Sequence, residues 1–235
     1  MKKIIFTIAF LFVLIGSAQE NYYTNYSFVV EPENEATVFK LVDDYYSENK
    51  PEGVFVRLFE NHFKDGNNKA THMLVFLGTQ EDVGNMYGGG DDKFALFLTR
   101  LNQHIKEGSG SSMGRHLALY GDTDSNVRYP AQRIYLLDVK DTEAFDAEYN
   151  KFHSKHNPPG VLVNMGNTIV GQGTGKFNRW VIIGFKDMKA AMGGPNKLLS
   201  GAALTARQKA WDDFRANDGG VEVVGSSMRM LLGAW

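Results

Sequence analysis

The tripeptide Ser-Ser-Met at positions 111–113 recurs at 226–228, which is 115 residues further along the chain. The segment Pro-Glu-Gly-Val at 51–54 recurs as Pro-Pro-Gly-Val at 158–161, 107 residues later. The turn at 63–69 aligns with 170–176 at that same offset of 107. The chain therefore predicts one structural unit present twice, with a few insertions in the second copy.

Each half predicts the order strand, helix, strand, strand, helix, strand. Alternating or β-branched apolar runs indicate the strands, and apolar residues at helical spacing indicate the helices. In the first half the predicted elements are Tyr26–Glu31, Pro32–Asn49, Val54–Phe63, Thr71–Leu77, a helix through Phe94–Ile105 that Gly108 ends, and Met113–Tyr120. In the second half they are Gln132–Val139, Thr142–His156, Val161–Val170, Phe177–Phe185, Leu198–Phe214 and Val221–Leu232. We assign residues 22–121 to the first repeat, 122–128 to a linker and 129–235 to the second repeat.

A β-α-β-β-α-β unit is the ferredoxin-like motif, whose antiparallel sheet carries both helices on one face. Two such units on one chain can bury their open faces against each other. The duplicated order resembles the dimeric α/β-barrel superfamily in its fused, two-repeat form, over nearly the whole chain. The resemblance implies an α+β fold with two antiparallel sheets packed face to face. That superfamily includes cofactor-free monooxygenases, small-ring isomerases and haem-binding chlorite dismutase-like enzymes, so the resemblance points to a fold and not to one function.

The N-terminus has the pattern of an export signal. Lys2-Lys3 precede an apolar run from Ile4 to Ile15, and Gly16-Ser17-Ala18 supplies the small residues that a signal peptidase requires. We therefore predict a signal peptide over residues 1–18, cleavage near Ala18, and a soluble periplasmic or secreted product without a membrane anchor. An uncleaved anchor is the alternative, but the run is shorter than the roughly 20 apolar residues of a spanning helix.

Composition excludes several classes of protein. The chain has no cysteine, which rules out disulfides, a thiol nucleophile, thiolate metal sites and a lipid-anchoring cysteine. A net charge of −2 without a basic stripe makes nucleic acid an unsuitable partner. The composition leaves open whether the protein forms a homo-oligomer.

Two loops imitate binding motifs and fail on their spacing. Gly171–Lys176 resembles a phosphate loop, but Val170 stands where the first glycine belongs and a strand follows, so a β-hairpin turn is favoured. The linker 122–128 begins like a calcium loop, but Val127 occupies the glycine position, so a solvated turn is favoured.

A histidine pair and two glycine segments can each be interpreted either as structural or as functional features. His153 and His156 lie one helical turn apart and could share a metal, but histidines also suit the C-terminal end of a helix, and no third ligand is evident. The glycines at 88–90 and 193–194 indicate flexible connections, with a lid over a barrel mouth as the alternative.

Strand alternation supplies the candidate site residues, since a polar side chain among apolar strand neighbours lies either on a solvated edge or in a cavity. At the offset of 107, Arg57 aligns with Asn164, His72 with Arg179, and Met73 with Trp180. Arg115, His116 and Arg229 stand on the last strands. The ligand-pocket candidates are Arg57, His72, His116, Asn164, Arg179, Trp180 and Arg229. The alternative is that the arginines form surface or inter-sheet salt bridges.

Three functions remain open at this level, and no metal site, catalytic residue or cofactor is predicted. The first is an exported small-molecule-binding protein or cofactor-free enzyme, acting on an apolar or aromatic ligand in a barrel pocket. The second is a haem enzyme that uses His62, His72 or His116. The third is a structural or interaction protein whose interior is filled by side chains. The aromatic residues that favour the first are Phe55, Phe59, Phe76, Phe97 and Trp180.

Overall fold

Eight antiparallel strands form one closed barrel in the computed structural model, which describes residues 21–66, 68–121, 129–171 and 176–235. The element order repeats, as the duplication predicted, and the α+β fold with antiparallel sheets is confirmed. The first half contains β1 (Asn21–Val29), α1 (Glu35–Asn49), β2 (Phe55–Lys64), β3 (His72–Thr79), α2 (Gln80–Asn85), α3 (Asp92–Asn102) and β4 (Glu107–Gly121). The second half contains β5 (Ala131–Val139), α4 (Thr142–His156), β6 (Val161–Val170), β7 (Arg179–Phe185), α5 (Met188–Gly193), α6 (Gly201–Ala216) and β8 (Val221–Ala234).

The helices α2, α3, α4 and α5 begin where short polar side chains accept hydrogen bonds from the first free backbone N–H groups. Asp91 accepts from the Phe94 N–H at the start of α3, and Asp141 accepts from the Ala144 N–H at the start of α4. Thr79 and Asp82 form a reciprocal capping box at the start of α2. The caps of α2 and α4 mark the positions at which the chain leaves β3 and β5 for the helical layer.

Two four-stranded sheets join along two seams to close the barrel. The strand order around it is β1, β3, β2, β8, β5, β7, β6, β4, and β4 then pairs with β1. At one seam β2 pairs with β8, and at the other β6 pairs with β4, so each half contributes one strand to each seam. The two sheets therefore face each other across the barrel interior.

The apolar cores lie outside the barrel, between each sheet and its own helices. In the first half the core includes Val38 and Val42 of α1 and Phe97 of α3, packed on Val56 and Leu58 of β2. In the second half Phe145, Tyr149 and Phe152 of α4 and Phe214 of α6 pack on Val163, Met165 and Phe185. Because the helices bury only the outer face of each strand, the inward-facing residues are left to form a separate interior.

The boundaries differ from the predicted ones at a few places. β1 begins at Asn21 and not at Tyr26, and β4 begins at Glu107, so Gly108 lies in a strand instead of ending a helix. The glycines at 88–90 follow the short helix α2, and Gly193 and Gly194 form the end of the short helix α5. The sequence interpretation missed both helices because six residues show little periodicity.

Some predicted features lie outside the described residues: the signal peptide at 1–18, the linker at 122–128 and most of the glycine-rich turn at 172–175. Within the described part of the chain, no helix has the length and apolar character needed to cross a membrane.

Candidate ligand-binding site

A cavity of about 600 Å³ lies inside the barrel. It extends to the end of the barrel where Asp65 and Gly171 lie near the first residues of β4 and β8. The repeated Ser-Ser segments at 111–112 and 226–227 both line it, one from each half. The cavity wall also contains five of the seven predicted pocket residues, namely Arg57, His116, Asn164, Trp180 and Arg229.

Arg229 is the most enclosed charged group of the cavity wall, with a side chain only 6% exposed. Its Nε donates a hydrogen bond to Oε1 of Gln132 at 3.0 Å, and its Nη1 lies 3.1 Å from Sδ of Met73. The guanidinium carbon lies 3.7 Å from the centroid of the Phe59 ring. Burial, followed by the charge of Arg57, lowers the pKa of Arg229 to about 9. The guanidinium is therefore still cationic at neutral pH, although burial makes its charged form less favourable than in water.

Arg57 lies on β2, within electrostatic reach of Arg229. Burial also lowers the pKa of Arg57. Among the described residues, no side chain forms a hydrogen bond or ion pair with its guanidinium. The cavity thus contains two guanidiniums. The N–H donors of one of them, Arg57, have no partner among the described residues and are available to a ligand.

His116 faces these cations from β4 and remains neutral. Its Nδ1 lies 2.7–2.9 Å from the side-chain amide of Asn164. Burial lowers the pKa of His116 to about 4; the Asn164 contact opposes this shift, and the charges of Arg57 and Arg229 add to it. A neutral imidazole in this position can accept a proton or a hydrogen bond.

Tyr23 and Trp180 form a hydrogen-bonded aromatic pair beside His116. Nε1 of Trp180 donates to the Tyr23 hydroxyl at 3.0 Å, and that hydroxyl lies 2.8 Å from Oγ1 of Thr168. The rings of Tyr23 and Trp180 contact the His116 imidazole edge-on, with centroids 5.7 and 5.0 Å away. Burial raises the pKa of the Tyr23 hydroxyl, so it stays protonated.

Two glycines make room for this pair. A Cβ on Gly166 would lie 2.1 Å from Cζ2 of Trp180, and a Cβ on Gly114 would lie 2.8 Å from Cε1 of Tyr23 and 1.9 Å from a backbone oxygen. Any larger residue would displace a ring or a neighbouring strand. The absence of a side chain at both positions is thus a requirement of the site.

Comparison with solved structures identifies the fold. The chain is similar to an anthrone oxidase-like protein, with 10% identity, a TM-score of 0.55 and coverage of 94% of both chains. It is also similar to a protein described as a candidate monooxygenase from Fusobacterium nucleatum, with 14% identity, a TM-score of 0.56, and coverage of 92% of this chain and 94% of that one. A variant chlorite dismutase from Candidatus Nitrospira defluvii has 12% identity, a TM-score of 0.50 and coverage of 91% of both chains.

The chain has the dimeric α/β-barrel fold. No family model matches it, and no curated protein matches it by sequence. At identities this low, the similarity extends to the fold of the α/β barrel and no further.

Two predicted pocket residues lie outside the interior of the α/β barrel. These are His72 and Arg179. The side chains of the adjacent residues Met73 and Trp180 point into the cavity, and because successive side chains of a strand point to opposite faces, His72 and Arg179 point outward. His72 is 1% exposed, and its ring stacks on Phe28. Both predictions of a pocket position are therefore corrected.

Arg179 instead joins the α/β barrel to its helical layer. Its Nε and Nη2 donate to the two carboxylate oxygens of Asp146 on α4, at 2.9 and 2.8 Å. The sequence interpretation held surface or inter-sheet salt bridges as the alternative for the arginines; Arg179 does pair with an aspartate, but the pair joins a strand to a helix and not two sheets. For Arg57 and Arg229, no such bridge occurs among the described residues.

The predicted aromatic residues are distributed among three environments. Phe59 and Trp180 line the cavity. Phe76 and Phe97 belong to the core beneath the helices, and Phe55 is 60% exposed. Tyr23 and Gln132 line the cavity and were missed.

The haem alternative requires a histidine nitrogen directed into a flat, largely apolar slot. His72 is enclosed on the outer face, with Nδ1 2.9 Å from Oγ1 of Thr71. His62 has Nδ1 3.0 Å from a carboxylate oxygen of Glu60. Neither faces the barrel interior.

His116 does line the cavity, but its surroundings do not resemble a haem slot. Its Nδ1 contacts Asn164, and the edges of Tyr23 and Trp180 crowd its ring. The opposite wall is polar, with Asn61 and Gln132 among its residues. These side chains therefore do not fit a porphyrin.

His153 and His156 do not form a metal site among the described residues, where no cluster of three or more potential ligands occurs. Nδ1 of His153 lies 2.7 Å from Oδ1 of Asn157, just beyond the end of α4. Its ring packs 4.2 Å from that of Tyr149, and burial lowers the pKa of His153 to about 4. His153 is thus a neutral residue of the helical core.

Proposed function

We propose that this protein binds a small, largely aromatic molecule inside the barrel. The observation that carries the proposal is a partly open cavity of about 600 Å³ inside the barrel, whose lining combines apolar side chains with convergent polar groups. That volume lies within the 300–1,000 Å³ typical of small-molecule sites. Phe59, Trp180 and Tyr23 offer ring faces and edges, on which planar ligands pack well.

Cofactor-free oxidation is the reaction that these groups suit best. Neutral His116 can remove a proton from an acidic C–H group, and Arg57 and Arg229 can stabilise the enolate that forms. The enolate then reacts with O₂: a CH₂ group becomes a carbonyl, one oxygen atom enters the product and the other leaves as water. The names of the anthrone oxidase-like and candidate monooxygenase neighbours agree with this class of reaction.

Burial is the main cause of the low pKa of His116, and the charges of Arg57 and Arg229 add to it. An anionic ligand or intermediate would offset the effect of those two charges, but not that of burial. The charge contribution that lowers the pKa of His116 would thus be smaller when an anion occupies the cavity than when the cavity is empty.

Calorimetric titration with anthrone, followed by O₂ uptake and product analysis, tests both parts. Saturable binding with anthraquinone formation supports an enzyme, and the His116→Gln variant should then bind anthrone but form anthraquinone at least tenfold more slowly. Binding without O₂ uptake supports a carrier. If anthrone and other polycyclic aromatics all fail to bind at millimolar concentration, the structural alternative replaces this proposal. A Soret band upon addition of haem would instead support the haem alternative.

Export forms part of the proposal, on the pattern of residues 1–18. Expression in a bacterial host and N-terminal sequencing of the periplasmic or secreted protein should give a first residue close to Gln19. Recovery of intact protein from the cytosol alone would contradict it.

A further inference from the structure

The two seams of the barrel are equivalent by duplication but carry different charges. Gly114 of β4 pairs with Thr168 of β6 at one seam, and Arg229 of β8 pairs with Asn61 of β2 at the other. Thr168 and Asn61 are themselves 107 residues apart, as the repeat requires. Arg229 therefore occupies the position that Gly114 occupies in the other half.

Arg57 also differs from the residue at its equivalent position in the other half. Arg57 pairs with Ala234 at the β2–β8 seam, and its equivalent Asn164 pairs with Leu119 at the β4–β6 seam. The β2–β8 seam thus carries two guanidiniums. At the equivalent positions of the β4–β6 seam there is a side-chain amide, that of Asn164, and a glycine, Gly114, which has no side chain. The charges are concentrated on a single wall of the cavity.

The described residues do not neutralise this wall. Asp65 is the one carboxylate among the described residues that line the cavity. It lies in the β2–β3 turn, where its Oδ1 accepts a hydrogen bond from the Asn68 backbone N–H. The pKa values of Arg57 and Arg229 are both lowered by burial, and nearby carboxylates do not raise either one. Two like charges held together in a partly desolvated space are unfavourable until an anion joins them.

The opposite wall is aromatic and uncharged. Trp180 and Tyr23 lie there with neutral His116, which the Asn164 amide holds in place. A ligand that satisfies both walls has a negative group at one end and a flat apolar body at the other. Carboxylate geometry also matches the donor fork of a guanidinium.

We propose that the cavity binds an aromatic carboxylate, with its anionic group on Arg57 and Arg229 and its ring against Trp180 and Tyr23. This inference rests on the proposed binding function and names the ligand class of the same cavity. It predicts a preference for the charged ligand over an uncharged ligand of the same shape.

The test compares naphthalene-2-carboxylate with naphthalene-2-carboxamide by calorimetry at pH 7. We expect the carboxylate to bind at least tenfold more tightly. In the Arg57→Gln variant the carboxylate should lose about tenfold in affinity, while the affinity for the amide changes by less than twofold. Arg100→Gln, which removes an exposed arginine of α3, is the charge-matched control and should leave both affinities unchanged.

A stability measurement keeps the test informative if binding is weak. Because the guanidinium of Arg57 has no hydrogen-bond or ion-pair partner among the described residues, Arg57→Gln should fold and should raise the Tm of the free protein. The carboxylate should raise the Tm of the wild type but not that of the variant.

The outcomes separate this inference from the proposed function. If the amide binds as tightly as the carboxylate, the ligand class is wrong but the aromatic cavity stands. If neither ligand binds or raises the Tm, this inference fails, and the anthrone titration decides separately whether the proposed function stands. If Arg100→Gln reduces carboxylate affinity as much as Arg57→Gln, the effect is one of overall charge and the inference is overturned.

Discussion

The guanidinium of Arg229 lies directly over the ring of Phe59, 3.7 Å from the ring centroid. Both residues face the barrel interior, and Phe59 is only 1% exposed. A cation on an aromatic face is favourable, and more so where water is excluded. Phe59 therefore supports a buried charge that lacks a carboxylate partner among the described residues.

Phe59→Leu should destabilise the protein by about 2 kcal/mol, because it removes both core volume and this cation–π contact. Chemical denaturation measures the change. Phe63→Leu is the matched control on the same strand; Phe63 is 60% exposed, and its replacement should change the free energy of unfolding by less than ~0.5 kcal/mol. Equal losses in the two variants would contradict the assigned role of Phe59.

Arg179→Gln should lower stability without changing ligand affinity. It breaks the two-pronged salt bridge to Asp146, which holds α4 against β7 and lies outside the cavity. We expect a loss of about 1 kcal/mol, because the pair is only partly shielded from solvent. A double-mutant cycle with Asp146→Asn measures the coupling. Reduced ligand affinity in Arg179→Gln would show that this residue belongs to the site after all.

Gly166→Ala should weaken ligand binding and destabilise the barrel by roughly 1–3 kcal/mol, the usual range for overpacking. The new methyl group would overlap the Trp180 ring and the Arg115 carbonyl oxygen. Near-ultraviolet circular dichroism can report the displaced tryptophan. Gly84→Ala is the control: Gly84 lies in α2 with open space around it, so alanine should be neutral or slightly stabilising there. A Gly166→Ala variant with unchanged Tm and affinity would refute the packing described.

Stability should fall as the pH is lowered from about 6.5 to about 4, partly because of His116 and His153. Their folded-state pKa values are lowered to about 4 by burial. The unfolded chain therefore binds more protons within this window, and acidification favours unfolding. Each histidine contributes roughly 3 kcal/mol across the full window.

Urea denaturation of His153→Gln at pH 7 and pH 4.5 tests this. The variant should lose about 2–3 kcal/mol less on acidification than the wild type, since glutamine can keep the contact with Asn157 without binding a proton. The same pH dependence in the variant and the wild type would contradict the assignment.

The fold followed from local features of the sequence. The Ser-Ser-Met repeat and the turn spacing identified the duplication, and most strands were placed within two residues because their apolar alternation is clear. β1 and β4 were the exceptions, because each begins several residues before its predicted start. The first residues of β1, Asn-Tyr-Tyr-Thr-Asn at 21–25, do not alternate between apolar and polar types, and Tyr23, which lines the cavity, was missed for this reason.

The site could be predicted only in part, because both faces of these strands are buried. His72 and Met73 are neighbours, so one must point into the barrel and the other toward the helices. The sequence alone does not show which of the two faces the barrel interior, because a histidine can also be buried on the face that packs against the helices. Gln132 stayed hidden for a further reason: its role depends on the hydrogen bond to Arg229, 97 positions away.

The covalent link between the halves has an evolutionary consequence. In a symmetric homodimer of a single repeat, any substitution at one seam appears at the other as well, and a new interior charge is introduced in duplicate. Here Arg229 lies at the position equivalent to Gly114, and Arg57 at the position equivalent to Asn164, so neither cation has a second copy. A single fused chain thus permits an asymmetric interior, and a ligand of the proposed class would bind there in one preferred orientation rather than in two equivalent ones.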